Sequence, residues 1–231
     1  CYHVPEALLN VGNCFSVRLR APHTGSIDIA TYYMSNYTCE FARALVERGI
    51  EGGYQFLDAM IGVDACSMMN RAMEHFEILK VNEKPNFFVT HCDIPYKITD
   101  YTLDSYVKQM RIHVLDKLTE VYGVHTSDAA IRQAVAEHNE VCSIVSEMAE
   151  MRKAENPVIT GYEFHVINLV TYVCPKALIL PYLRETLKEL KKRKPDEKSP
   201  FRARVAIVGS EIDDPQLTKL IEGCGALVVS D

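Results

Sequence analysis

Two cysteines stand where the chain passes into a predicted helix, and their chemistry is that of soft-metal ligands. Cys39 opens a predicted helix after the polar segment 32–38, and Cys66 follows a predicted buried strand, directly before the predicted N-cap Ser67. Amide N–H groups point outward at such junctions and stabilise a thiolate. Two thiolates suit a soft metal or an iron–sulfur centre. The long interval between the cysteines matches no metal motif, so spacing alone favours buried structural thiols.

A second candidate is the run His91–Cys92–Asp93, which follows a predicted strand and contains both a thiol and an imidazole. Such a pair could form a nucleophilic site. Adjacent residues of an extended chain point in opposite directions, however, so these side chains are not expected to form a dyad with each other.

A third candidate is the loop 209–215, which follows a predicted strand at the sheet edge where open α/β folds bind ligands. It lacks the glycines of a dinucleotide fingerprint, and the charges of Asp213 and Asp214 oppose an anion. We expect one of these aspartates to cap the helix that Pro215 begins.

The composition is that of an ordinary globular protein with a sizeable core. The chain has 231 residues, of which 48% are hydrophobic and 24% charged, and its mean hydropathy is −0.06. A net charge of −6 and a pI near 5.8 disfavour nucleic acids and anionic membranes as partners. The basic run Lys191–Lys194 lies at a predicted helix end, where solvated cations complement the helix dipole.

The eight cysteines and the absence of a targeting pattern predict a cytoplasmic location. The cysteines are scattered and form no CxxC pair, which is typical of buried thiols in a reducing compartment. No apolar run approaches the roughly 18 residues of a spanning helix, so we expect no membrane contact. The sequence also shows no basic-then-apolar leader at its start.

Strands and helices alternate in the first part of the chain and position the cysteines. Strands are predicted at 14–19, 56–63 and 86–90, with helices at 39–48 and 67–79. Strands separated by helices indicate a parallel sheet with helices on both faces. We therefore predict an N-terminal α/β domain over residues 1–101.

The rest of the chain is predicted to be helical and then α/β again. Helical periodicity begins near Thr102, Gly123 ends the first element, and further helices are predicted at 128–153, 162–173 and 177–194. We assign residues 102–200 to a helical segment with a polar linker at 194–200. Residues 201–231 are the start of a C-terminal α/β domain, and both chain ends look cut, so we expect a fragment.

Five blocks, in order along the chain, resemble the 2-hydroxyacyl-CoA dehydratase family. This family also includes benzoyl-CoA reductase and double-cubane-cluster reductases. The blocks are Val4–Leu9, Val17–Leu19, Tyr37–Arg43 (YTCEFAR), Phe56–Cys66 and Arg202–Asp231. The resemblance is strong in these blocks and weak in the helical middle.

The resemblance implies a fold and a cofactor. The fold is α/β, with two Rossmann- or flavodoxin-like parallel-sheet domains joined by a helical segment, the second of them truncated here. A [4Fe–4S] cluster held by three cysteines lies between the domains of such subunits. Cys39 and Cys66 correspond to its first two ligands, and the third is expected beyond residue 231. Cys224 lies before the final predicted strand and does not match the ligand position.

The resemblance also implies a reaction and partners. The family eliminates water from an (R)-2-hydroxyacyl-CoA thioester to give a 2-enoyl-CoA, in anaerobic amino-acid fermentation. An ATP-dependent iron–sulfur activator protein supplies one electron, which makes a ketyl radical of the thioester, and a heterodimer forms with a paralogous dehydratase subunit. Two alternatives stay open: a non-catalytic electron-relay subunit, and a reductase of the benzoyl-CoA or double-cubane type. The sequence identifies no catalytic base.

Overall fold

The structure, a computed structural model, describes residues 3–22, 24–195, 201–209 and 212–231. The chain divides into two compact units, Cys1–Asn13 with Leu19–Ser127, and Cys14–Arg18 with Asp128–Asp231. Each unit contains helices and one short pair of parallel strands among its described residues. The mixed α/β class is thus confirmed, whereas Rossmann-like domains stay a prediction. Residues 102–127 group with the first unit, and the three-part division at 101 and 200 stays a prediction.

The first unit alternates helices and strands over most of its length. A short 3₁₀ helix covers Glu6–Asn10, and a π-helix, Met110–Asp116, joins the last two α-helices. The remaining elements are α1 (Asp28–Tyr33), α2 (Glu40–Ile50), β1 (Ala59–Asp64), α3 (Ser67–Ile78), β2 (Phe88–Asp93), α4 (Asp100–Gln109) and α5 (Lys117–Tyr122). Gly123 ends α5 in the left-handed conformation (φ 64°), as predicted from the sequence.

Strands β1 and β2 pair in parallel, and helices α2 and α3 pack with them around the core of the unit. The register runs from Ala59 opposite Phe88 to Asp64 opposite Asp93. Buried apolar side chains of the two helices, among them Val46 and Phe76, form this core. Because the strands are parallel, both of their carboxyl ends lie at one edge, which is the edge that leads into α3.

The predicted strand at Cys14–Leu19 is wrong, because this stretch forms no strand in the structure. The extended run instead meets a helix end. The Arg18 N–H donates to the Tyr172 carbonyl oxygen at 2.9 Å, and the Arg18 guanidinium lies 3.7 Å from the centre of the Tyr172 ring. A short apolar run becomes a strand only where a neighbouring strand can pair with its backbone.

The second unit is a set of long helices followed by a strand–helix–strand segment. Its elements are α6 (Asp128–Met151), α7 (Gly161–Val173), α8 (Lys176–Lys192), β3 (Ala203–Ala206), α9 (Pro215–Gly223) and β4 (Ala226–Ser230). Strands β3 and β4 pair in parallel. Of the predicted linker at 194–200, residues 196–200 lie outside the described residues, as do Ser210 and Glu211 of the loop at 209–215.

Glu222 of α9 ties together the helix and strand that pack against α9. Its carboxylate accepts hydrogen bonds from the N–H groups of Gly161 (2.8 Å) and Tyr162 (3.1 Å) at the start of α7, and from Val228 (3.3 Å) of β4. A carboxylate at a helix N-terminus satisfies amides that have no partner within the helix. The second unit therefore uses its own side chains to satisfy this helix end.

Candidate functional site

Cys39 is the N-cap residue of α2, and its thiol makes no capping hydrogen bond. A turn in which the Thr38 N–H donates to the Ser35 carbonyl (2.9 Å) leads into it, and its own carbonyl accepts from the Arg43 N–H at 3.1 Å. The side chain is half-buried and packs at the margin of the core. Its sulfur is therefore held in place by backbone bonds while staying available to a ligand.

Cys66 occupies the equivalent position at the start of α3, two residues after β1 ends at Asp64. The prediction of Ser67 as N-cap is wrong by one residue, since Ser67 is the first residue of the helix. The Cys66 carbonyl accepts from the Asn70 N–H at 2.9 Å, and the Asn70 side chain donates to the Asp64 carboxylate. The Cys66 thiol is half-buried and makes no capping hydrogen bond.

A direct contact brings the starts of α2 and α3 together. The Cys39 N–H donates to the Met68 sulfur at 3.1 Å, and Met68 is the second residue of α3. The two helices also pack along their length through shared core residues. The N-termini that carry the two predicted cysteines thus meet at the carboxyl edge of the β1–β2 pair. The amide groups of both helices favour negative charge there.

The donor set fits part of a soft-metal or iron–sulfur site. Both thiols are free, and thiolates are the ligands that iron–sulfur clusters use. In the described part of the chain no group of three or more His, Cys, Asp or Glu side chains is placed to hold a metal. Cys39 and Cys66 therefore fit two ligand positions of a centre that needs further donors.

A buried arginine near Cys39 is the feature that sequence reasoning missed. Arg43, one helical turn after Cys39, is only 8% exposed, and its guanidinium reaches Asn36 and Thr31. Glu47, a further turn along α2, is 3% exposed and accepts from the Ala30 N–H at 2.6 Å. The spacing of four between Cys39 and Arg43 was the available signal, because it places both residues on one face of α2.

The segment before Cys39 carries exposed aromatic side chains. Tyr32 is 89% and Tyr37 is 95% exposed. Tyr33 lies against α3, where its carbonyl is 3.1 Å from Nε2 of His75 and the two rings are 5.7 Å apart. Polar neighbours of Cys39 are also exposed, and the Ser35 hydroxyl accepts from the Tyr37 N–H at 3.3 Å. None of these contacts marks a catalytic base.

The run His91–Cys92–Asp93 lies inside β2 and does not follow it, because the strand extends further than predicted. Cys92 is completely buried, and this burial raises the pKa of its thiol. His91 and Asp93 are more exposed neighbours on the opposite side of the pleat. A buried, protonated thiol is a core residue, in agreement with the absence of a dyad predicted here.

The remaining polar features have structural roles. Asp214 is the N-cap of α9, and its carboxylate accepts from the Gln216 N–H at 2.9 Å, as predicted for one of the two aspartates. In the basic cluster, Lys191, Lys192 and Arg193 each pair with a glutamate at 2.7–2.8 Å. These pairs agree with a solvated helix end.

Among the helices of the described ranges, none is long and apolar enough to cross a membrane.

Comparisons with known proteins identify two curated relatives. The chain is 22% identical over 206 residues to a benzoyl-CoA reductase subunit of Thauera aromatica, which covers 86% of this chain and 50% of that protein. It is 19% identical over 230 residues to the (R)-phenyllactyl-CoA dehydratase beta subunit of Clostridium sporogenes, which covers 99% of this chain and 59% of that protein. The chain thus spans between half and three-fifths of the length of these relatives.

The family comparison agrees with both relatives and with the resemblance carried by the cysteine blocks. Residues 1–231 match the family described as 2-hydroxyglutaryl-CoA dehydratase, D-component. The match covers both units, including the YTCEFAR block around Cys39 and the strand end before Cys66. The chain therefore belongs to the 2-hydroxyglutaryl-CoA dehydratase D-component family.

Proposed function

We propose that this chain is part of a subunit of an iron–sulfur 2-hydroxyacyl-CoA dehydratase, which removes water from an (R)-2-hydroxyacyl-CoA to form a 2-enoyl-CoA. One observation carries the proposal: in a chain of this family, the Cys39 N–H contacts Met68 and brings together two helix starts that each end in a free thiol. The relative from Clostridium sporogenes, named as part of a phenyllactyl-CoA dehydratase, supports the same reaction class.

The proposed cofactor is a [4Fe–4S] cluster with Cys39 and Cys66 as two of its cysteine ligands. Their thiols make no capping bonds, and the converging helix amides favour the negative charge of thiolate ligands. The third cysteine ligand is proposed to lie beyond residue 231. When bound, the cluster would supply single-electron transfer and an open iron site that acts as a Lewis acid on a substrate oxygen.

The reaction needs an electron because its β-proton is barely acidic in the thioester. General acid–base catalysis supplies only about 10²–10⁴-fold acceleration. One low-potential electron, delivered by an ATP-dependent iron–sulfur activator protein, would convert the substrate thioester to a ketyl radical that expels the α-hydroxyl. The β-proton then becomes acidic enough to remove, and the electron is returned.

The proposal includes a partner and a compartment. A paralogous dehydratase subunit would form a heterodimer with this one, in keeping with relatives that are themselves named as subunits. The described cysteines are free thiols, which supports a reducing, cytoplasmic setting under anaerobic conditions.

A reductase of the benzoyl-CoA or double-cubane type is the second candidate, because one of the two relatives is named as part of a benzoyl-CoA reductase. A non-catalytic subunit that relays electrons is the remaining alternative. Both share the cysteine-ligated centre and differ from the dehydratase in what happens to the substrate.

Turnover by the complex distinguishes these candidates. The full polypeptide, purified anaerobically with its partner subunit, is mixed with the activator, ATP and an (R)-2-hydroxyacyl-CoA. We expect formation of a 2-enoyl-CoA with catalytic, not stoichiometric, use of the reductant. Stoichiometric consumption of reductant with a ring-reduced product from benzoyl-CoA would instead establish the reductase. Full dehydration by the partner without this chain would contradict a catalytic role here.

A further inference from the structure

Arg43 is a buried cation with few partners in the described part of the chain. Its side chain is on α2, and the residue is only 8% exposed. One guanidinium nitrogen, Nη1, makes two long contacts, 3.4 Å to the Thr31 hydroxyl and 3.3 Å to the Asn36 side-chain oxygen. Its Nε is fully buried and has no hydrogen-bond partner there. A buried charge is stable only when an opposite charge or a full set of hydrogen bonds compensates for lost hydration.

The guanidinium is directed towards the start of α2, where Cys39 lies. Side chains of a helix tilt towards its N-terminus, and residues four apart share a face. The contact with Asn36, three residues before Cys39, agrees with this direction. Arg43 therefore fastens the segment that leads into Cys39 and places a positive charge on the cysteine's own face of the helix.

Nearby carboxylates do not neutralise this charge. Glu47 is the buried acid one turn further along α2, but its carboxylate accepts the Ala30 N–H at 2.6 Å. Within the described ranges, Arg43 forms no ion pair with Glu47 or with another acid. The site is thus built with an unbalanced buried cation beside two converging helix N-termini, all of which favour an anion.

From this we infer that Arg43 is the positioning and charge-balancing residue for the anionic cluster that Cys39 and Cys66 are proposed to bind. The inference rests on the proposed function, since the anion is that cluster with its thiolate ligands. Two consequences follow from a cation next to a redox centre. It favours the reduced, more negative state and so raises the reduction potential, and it retards loss of iron.

The test compares variants that separate charge from packing. Arg43→Met removes the charge and keeps most of the length of the side chain, whereas Arg43→Lys keeps the charge. Arg48→Met is the matched control, because Arg48 lies on the same helix, is exposed, and pairs with Glu51 at 3.4 Å. Arg43→Gln serves as a second neutral variant where Arg43→Met does not fold.

Two readouts are measured on the full polypeptide, purified anaerobically with its partner subunit: the reduction potential by EPR-monitored titration, and the rate of iron release to a ferrous chelator. We expect Arg43→Met or Arg43→Gln to lower the potential and to release iron about tenfold faster, as for other residues that support metal ligands. Arg43→Lys should keep the potential close to that of the wild type, and Arg48→Met should change neither quantity.

An unchanged potential and release rate in both neutral variants would overturn the inference. So would an equal drop in potential for Arg43→Lys, because that would show a packing role independent of charge. Failure of the proposed function has a different signature: the wild type would contain no cluster, or Cys39→Ser and Cys66→Ser would keep their full iron content.

Discussion

The two units contain the same type of junction, in which a strand of a parallel pair is followed by a helix, but they end it with different residues. Ahead of α9, the N-cap is Asp214, and its carboxylate accepts the Gln216 N–H at 2.9 Å. At the junction of β1 and α3, the N-cap is Cys66, whose thiol bonds to no helix amide. Cys39 repeats this arrangement before α2.

This difference separates a junction built for stability from a junction built for a ligand. A good N-cap stabilises a helix by about 1 kcal/mol relative to a residue that cannot accept the amide bond. Helices α2 and α3 forgo that stabilisation at adjacent starts, next to the buried charge of Arg43. Positions where a protein gives up a local preference are expected at functional sites.

The largest expected effect comes from giving the first unit the kind of cap that the second one has. In Cys66→Asn, the side-chain amide oxygen can accept a helix N–H, because the backbone at position 66 is extended (φ −144°, ψ 113°) as N-caps are. We expect the iron-free protein to gain about 1 kcal/mol in free energy of unfolding and the anaerobically purified protein to lose most of its iron. Denaturant titration and iron analysis measure the two effects.

The matched control is Asp214→Ala at the other junction. It should lower the free energy of unfolding by about 1 kcal/mol and leave the iron content unchanged. Iron loss of the same size in both variants would remove the distinction between the junctions.

The smallest effect concerns Cys92, the buried thiol of the first unit. Burial raises the pKa of this thiol above the ordinary value of 9.0, so in strongly alkaline solution the unfolded chain loses its proton before the folded chain does. The stabilisation is complete below that value, and the free energy of unfolding should fall as pH rises through the folded pKa. Urea unfolding at a series of alkaline pH values measures this slope.

Cys92→Ala should lower stability at neutral pH and reduce the alkaline slope. The slope does not vanish, since burial also raises the pKa of Tyr106 and Tyr122. Cys142→Ala is the control, because Cys142 is exposed. A slope that is identical in wild type and Cys92→Ala would show that the buried thiol does not control it.

Sequence patterns predicted those elements whose ends are determined by local chemistry. Gly123 ends α5 with a positive φ, and Asp214 with Pro215 starts α9, because caps depend on residues within one turn. The strand predicted at 14–19 failed since strands need partners that are distant in sequence. The π-helix over Met110–Asp116 was missed because its apolar spacing also suits an ordinary helix.

The candidate site was predictable in its residues but not in its surroundings. The positions of Cys39 and Cys66 at helix starts followed from local pattern. The contact between Cys39 and Met68, and the burial of Arg43, arise from tertiary packing of α1, α2 and α3, which a single sequence does not reveal.

The central claim is that Cys39 and Cys66 are ligands of one iron–sulfur cluster, and iron analysis of single-cysteine variants tests it most directly. The full polypeptide is purified anaerobically, and its iron content and visible spectrum are compared with those of four serine variants. We predict about four irons in the wild type, loss of most of that iron in Cys39→Ser and Cys66→Ser, and full content in Cys142→Ser and Cys174→Ser. Equal iron loss in all four variants, or full iron in the first two, would contradict the claim.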